Sequence, residues 1–202
     1  MNKTPSTLAR IVVTAAGASA LLIAGAAQAA LQDRDLDGDT VVDAFYDTDL
    51  DITWLRNADV NGLMGWWTAV AWADGYSFAG YEDWRLPTSD TCAEYNCTGS
   101  EMGHLWYLEL GNPAGGPPNN LGSFQNWQYD RYWSGTEYAP IPGYAWGFYT
   151  YCGLQFATSK GFAYYAMAVR DGDVAVVPEP ATYVLVLAGL TGLALARRRR
   201  PR

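Results

Sequence analysis

The sequence of 202 residues holds a single histidine, His104, and three cysteines, Cys92, Cys97 and Cys152. Nucleophilic catalysis needs a base beside its nucleophile, yet no Ser-x-Gly elbow and no cysteine–histidine spacing surrounds His104. Three cysteines and one histidine also lack the spacing of zinc ligands, so no zinc centre is expected. His104 reads as a packed or helix-capping residue. Basic residues are as sparse. Between residues 31 and 177 only Arg34, Arg56, Arg85, Arg131, Lys160 and Arg170 stand against twenty acidic residues. A surface so acidic repels phosphate backbones, which excludes nucleic acid as a partner. Only 17% of the chain is charged while 50% is hydrophobic, enough apolar material for a packed core.

Long apolar runs are missing from this acidic middle and occur on either side of it. Residues 1–29 read as a secretory signal peptide: Lys3 and Arg10, an apolar run over 11–27, then the small-x-small pattern Ala27-Gln28-Ala29. Residues 177–202 begin with Val177, Pro178, Glu179 and Pro180. An apolar stretch follows over 181–196, and Arg197–Arg200 after it. Sixteen residues is short of the ~20 that a span usually needs, but arginines snorkel at one interface and Thr182 and Tyr183 suit the other. The arginine cluster stays cytoplasmic, which puts the acidic middle across the membrane. The Pro178-Glu179-Pro180 motif, apolar helix and terminal arginines resemble the PEP-CTERM sorting signal of Gram-negative bacteria. That resemblance implies recognition by an exosortase, an inner-membrane intermediate, and a destination at the cell surface or in a biofilm matrix. A permanent membrane anchor is the other reading of the same tail.

The middle is rich in aromatics. All nine tryptophans lie between Trp54 and Trp146. Scattered Gly and Pro among them predict a loop-rich domain of short strands and few helices. Strands are expected at 44–46 and 52–54, from Tyr132, over 144–151 with one buried face, and over 164–170. Helices are expected over 66–76 and from Ser100-Glu101 to Leu110, with Gly111 as its stop.

Asp51-Ile52-Thr53-Trp54-Leu55, Asp83-Trp84-Arg85-Leu86-Pro87-Thr88, Gly103-His104-Leu105, Tyr132-Trp133-Ser134-Gly135-Thr136-Glu137 and Ala168-Val169-Arg170 resemble the Lcl C-terminal domain family over residues 45–176. The resemblance implies an α+β fold like C-type lectin domains, with two helices, small antiparallel sheets and long loops. Trp84, Arg85 and Trp133 read as structural, with Arg85 free to pair with Asp83 or Glu101. The calcium-dependent sugar motifs of that fold are missing, and so is the late cysteine pair of formylglycine-generating oxidases. A non-enzymatic binding module is therefore expected. The alternatives are a structural matrix protein without a specific ligand and an enzyme of the oxidase-like fold.

Binding is assigned to Trp127, Tyr129, Tyr138 and Tyr144, which sit around Pro/Gly/Asn loops. Stacking on a ring face needs no charge, so the expected ligand is a neutral polysaccharide. In an oxidising compartment a disulfide is expected, Cys92–Cys97 by proximity, with Cys97–Cys152 and Cys92–Cys152 open. Residues 30–44 are either a solvated acidic linker or a calcium loop. In the loop reading Asp35, Asp37, Asp39, the Val41 carbonyl and Asp43 supply oxygen ligands. Thr40 stands where such a turn prefers glycine, and Tyr46 where an acid should close the shell.

Overall fold

A computed structural model describes residues 31–174 together with Leu190. Residues 1–29, read as a signal peptide, residues 177–180 and the apolar segment 181–196, apart from Leu190, lie outside these residues. Among the described residues no helix is long and apolar enough to cross a membrane.

Three antiparallel sheets and two helices make an α+β arrangement. The first sheet has the order β1-β2-β3-β9, with β1 at Leu31–Arg34, β2 at Ala44–Asp47, β3 at Ile52–Leu55 and β9 at Val169–Asp171. The second joins β4, Met64–Gly65, to β8, Ala163–Tyr164. The third is the meander β5-β6-β7, Arg131–Glu137, Tyr144–Tyr149 and Leu154–Ser159. Helix α1 covers Trp66–Asp74. Helix α2, Glu101–His104, is capped by the Ser100 hydroxyl, which accepts from Gly103 N, and runs on into a π-helical turn, Leu105–Glu109.

Local chemistry explains the pieces. The β2–β3 hairpin is tightened by Asp47, whose Oδ1 accepts from the N–H groups of Asp49 and Leu50 at 3.1 and 3.0 Å. A side chain that closes its own turn this way substitutes for backbone pairing. Trp54, Trp106, Tyr132, Phe148, Met167 and Val169 form the main core. A second core gathers Trp66, Leu86, Trp133 and Ala145, and a third Leu36, Leu55, Trp84 and Val174. Indole N–H groups buried in such cores need acceptors. Trp66 donates to Ser134 O, Trp84 to Tyr81 O and Trp133 to Met64 O.

Several expectations are corrected. The segment 30–44 is not simply a linker: its first residues form the edge strand β1, with Arg34 buried and donating to Asp173 from Nε and Nη2 at 2.6 and 2.9 Å. Strand β6 is buried on both faces from Ala145 to Phe148, since the neighbouring core covers one side and Phe156 crowds Gly147 on the other. The stretch 164–170 is two strands. Tyr165 pairs with the β5 backbone through Trp133 N and Arg131 O, and the chain then crosses to β3. Strands β1, β4 and β7 have no counterpart among the expected elements.

Candidate functional site

The disulfide loop, the β5–β6 turn and strand β7 enclose an open groove of about 690 Å³. Strand β7 builds its floor. Glu94 and Gln155 exchange backbone hydrogen bonds, both at 2.8 Å, so the disulfide loop lies on β7 as an extra strand. Gln155 fastens the loop from beneath: its buried amide donates to Asp90 Oδ1 at 2.9 Å and to Cys92 O at 2.6 Å. Cys92 and Cys97 are bonded to each other with Cα atoms 5.5 Å apart, and Cys152 is free and buried.

The opposite wall is the β5–β6 turn. Tyr138 N donates to Tyr144 O, Ile141 N to Tyr138 O and Tyr144 N to Ile141 O, with Gly143 at a φ of 90°. That positive φ is the reason for a glycine there. The turn holds the Tyr138 ring edge-on to Trp146, with centroids 5.1 Å apart and planes at 87°. Tyr95, Tyr144 and Phe156 complete an aromatic lining, with Ile141, Leu154 and Ala157 between them. Tyr138 and Trp146 also line a second hollow of about 390 Å³, together with Ser89, Asp90, Thr91, Thr136 and Glu137. The Tyr138–Trp146 pair is thus shared by two neighbouring hollows, the second of which has hydroxyl and carboxylate groups in its lining. The Tyr95 phenol is held above its ordinary pKa chiefly by hydrogen bonding to Cys152.

Of the four aromatics assigned to binding, the structure brings Tyr138 and Tyr144 together in this groove. Tyr129 is 57% exposed and is not among the residues that line it. Trp127 is a correction. It is only 8% exposed and packs between Phe124 and Tyr132, at centroid distances of 5.5 and 6.1 Å. The loop that carries it folds back over the core, so its large apolar ring is taken up there. The groove residues missed in sequence are Tyr95, Trp146 and Phe156. Trp146 and Phe156 belong to strands: Trp146 falls on the expected buried face of the 144–151 strand, and β7, which carries Phe156, is not among the expected elements.

The acidic loop is placed as follows. Carboxylate oxygens of Asp35, Asp37 and Asp39 lie within 4.8 Å of one another. Each already caps the loop's own backbone: Asp35 accepts from Gly38 and Thr40 N, Asp37 from Asp39 N, and Asp39 from Val41 N. Asp43 turns to Leu36 N at 2.9 Å and stands apart from the three. Burial, then the charges of its three neighbours, push its pKa up. Thr40, at the position that suits glycine, has a φ of 75°. The Val41 side chain is exposed.

A third cavity, of about 580 Å³, lies between α1 and the Trp84–Thr88 turn and is lined by Trp67, Val70, Arg85 and Leu86 among others. It offers one exposed ring, Trp67, where the groove offers several.

The family model for the Lcl C-terminal domain matches residues 43–170. The model for the PEP-CTERM protein-sorting motif matches residues 176–200. No curated protein matches the chain.

Proposed function

From the premise that the chain belongs to the Lcl C-terminal domain family and carries a PEP-CTERM protein-sorting motif, we propose that it is a non-enzymatic surface module whose groove beside Tyr138 and Trp146 binds neutral polysaccharide. The sorting motif points to exosortase-dependent export and surface anchoring. In the proposal the producing cell is a Gram-negative bacterium. The segment 181–196 holds the protein in the inner membrane until processing, and the domain then joins the extracellular matrix with a C-type lectin-like fold.

The observation that carries the binding reading is the row of accessible rings around one groove. Sugar rings present C–H faces that pack on aromatic faces, and their hydroxyls seek polar partners at the edge. Tyr138, Tyr144 and Tyr95 supply the faces, and Asp90, Thr91, Thr136 and Glu137 the edge. The acidic edge disfavours sulfated or uronic glycans, because like charges meet there. A non-enzymatic role is supported by His104, the single histidine, which is buried and takes no part in lining the groove.

Immobilised neutral polysaccharides, the host's own included, should retain the mature protein. Tyr138→Ala and Tyr144→Ala should each weaken retention roughly three- to tenfold, the worth of about one aromatic contact. Tyr129→Ala should leave it unchanged. Trp127→Ala should lower the melting temperature through the cavity it leaves, without a specific loss of binding by the folded fraction. Equal binding by Tyr138→Ala and the parent would sink the groove. Retention by no glycan would leave a structural matrix role as the better reading.

A further inference from the structure

The strands and the helix bring together three ionisable side chains that the groove does not use. Asp47 closes β2 and is fully buried. His104 is the last residue of α2, and Glu109 the last of the π-helical turn. One ligand atom from each lies within 4.8 Å of the other two. His104 Nε2 is 3.3 Å from Glu109 Oε1 and 3.8 Å from Asp47 Oδ1. The side chains of Asp47, His104 and Glu109 are 0%, 9% and 1% exposed.

The trio is unbalanced in charge and in hydrogen bonds. Two carboxylates face one imidazole, and the ion pairs that Asp47 and Glu109 make among the described residues are with His104 alone. Asp47 Oδ1 is satisfied by its hairpin, but Asp47 Oδ2 and Glu109 Oε2 are buried with no hydrogen-bond partner. Groups in that condition are rare and ask for an explanation, an ion being one. Burial and the Asp47 charge push the Glu109 pKa up, while His104 pulls it down.

The helix geometry bears on the same point. On a regular α-helix, residues five apart point about 140° away from each other. His104 and Glu109 have that spacing, yet their side chains meet because the helix widens between them, with Leu110 N bonding to Leu105 O. π-Helical turns of this kind are frequent at functional sites.

We propose that Asp47, His104 and Glu109 bind one divalent transition ion of the zinc class, fastening the β2–β3 hairpin to the α2 helix. The donor set selects the ion. One imidazole nitrogen and two carboxylate oxygens suit zinc and its first-row neighbours, whereas calcium and magnesium take oxygen almost exclusively. Bonds of about 2.0–2.2 Å around a tetrahedral ion place its ligand atoms roughly 3.3 Å apart, so the observed 3.3 and 3.8 Å need only slight contraction. The ion's two positive charges balance the two carboxylates, and His104 then binds as the neutral base. Cysteine and histidine spacing gave no hint of this site, because two of its ligands are carboxylates and one comes from a distant strand.

The full chain, stripped with a chelator and dialysed, would be titrated with zinc chloride by calorimetry and with cobalt(II) by visible absorption. An Asp37→Ala background removes the exposed acidic loop as a competing source of heat. One ion per chain is expected, with a rise in melting temperature and the visible bands of low-coordinate cobalt. Glu109→Gln keeps the shape and should weaken zinc binding by more than the roughly 10–100-fold that loss of a supporting ligand contact costs. His104→Ala should abolish the cobalt spectrum. No binding by the parent, or equal affinity in Glu109→Gln, would overturn the site and leave the trio as a buried proton-sharing cluster. Neither outcome bears on the groove, whose residues are separate.

Discussion

Gly103→Ala should cost the domain about 2–4 kcal/mol of stability, although alanine is the better helix former by about 1 kcal/mol. A Cβ built at Gly103 falls inside the van der Waals contact of the Cys97 carbonyl oxygen and lies 2.8 Å from both the carbonyl carbon and Ser100 Oγ. The obstacle is backbone, and backbone held in place by the Cys92–Cys97 bond, so it cannot swing aside as a flexible side chain would. Ser100 Oγ is also the helix cap, accepting from Gly103 N at 3.1 Å, so relief of the clash disturbs the cap as well. Overpacking of about 1–3 kcal/mol and a lost cap of about 1 kcal/mol together come to about 2–4 kcal/mol, a large fraction of the roughly 5–15 kcal/mol typical of a domain. The expected fall in melting temperature is about 10 °C or more. Gly116→Ala, where the new Cβ meets nothing within 4 Å, should leave the melting temperature nearly unchanged. A Gly103→Ala protein as stable as its parent would show that α2 does not pack on the disulfide loop this closely.

Arg85→Leu carries the second large effect. Every guanidinium donor is used: Nη1 and Nη2 grip the two oxygens of Glu101 at 2.8 Å each, Nε and Nη2 reach Asp171 Oδ1, and Nη1 also reaches Leu86 O. The backbone beside it pairs with Val169 in both directions. One side chain thereby ties the Trp84–Thr88 turn to the start of α2 and to β9. Burial alone would lower the Arg85 pKa, but the bonds and charges of Glu101 and Asp171 outweigh it and keep the guanidinium charged. Glu101 is only 13% exposed, and without Arg85 it keeps just the Thr88 N–H. Stranding a buried charge costs about 3–5 kcal/mol; Arg85 is 31% exposed, so water recovers part, and about 2–3 kcal/mol is expected. Arg85→Lys keeps the charge without the fork and should lose roughly half as much. Replacing Glu101 by Gln in the Arg85→Leu protein should restore part of the loss, a coupling that a thermal-melt double-mutant cycle measures. A shift under about 2 °C for Arg85→Leu would refute the clamp.

The parts of the fold that sequence disclosed are those with a local cause. Short runs of aromatic and β-branched residues, Phe45-Tyr46 and Ile52-Thr53-Trp54, fit the β2 and β3 strands, apolar spacing announced α1, and Ser100 before an apolar run announced the start of α2. Arg85 had two acidic candidates nearby. It takes Glu101, while Asp83 goes to Arg170 at 2.8 Å. What stayed hidden depends on distant partners. Strand β1 reads Leu-Gln-Asp-Arg, which has no strand-like pattern, and is held by β2 and by Arg34 reaching residue 173. The widening of the helix after His104 has no signal in its five apolar and polar residues. Tyr138 and Tyr144 were legible as loop aromatics, but nothing local distinguished them from Trp127. Which ring faces water was decided by where each loop crosses the core.

The first and last strands of the four-stranded sheet impose an order of events. Ribosomes make β3 long before β9, so Trp54 has no Val169 partner until almost the whole domain has been synthesised. Thr53 then bonds Gly172 O, Gly172 N bonds Asp51 O, and Asp173 meets Arg34. Val174 is buried immediately afterwards, and the matched sorting motif begins at residue 176. One residue, Ala175, separates Val174 from the start of that match. A processing enzyme acting at the motif works within a few residues of Asp173 and Val174, either while β9 is still undocked or once the domain has folded. Lengthening this junction with a few glycines would separate those two schedules, since only the second is eased by extra reach.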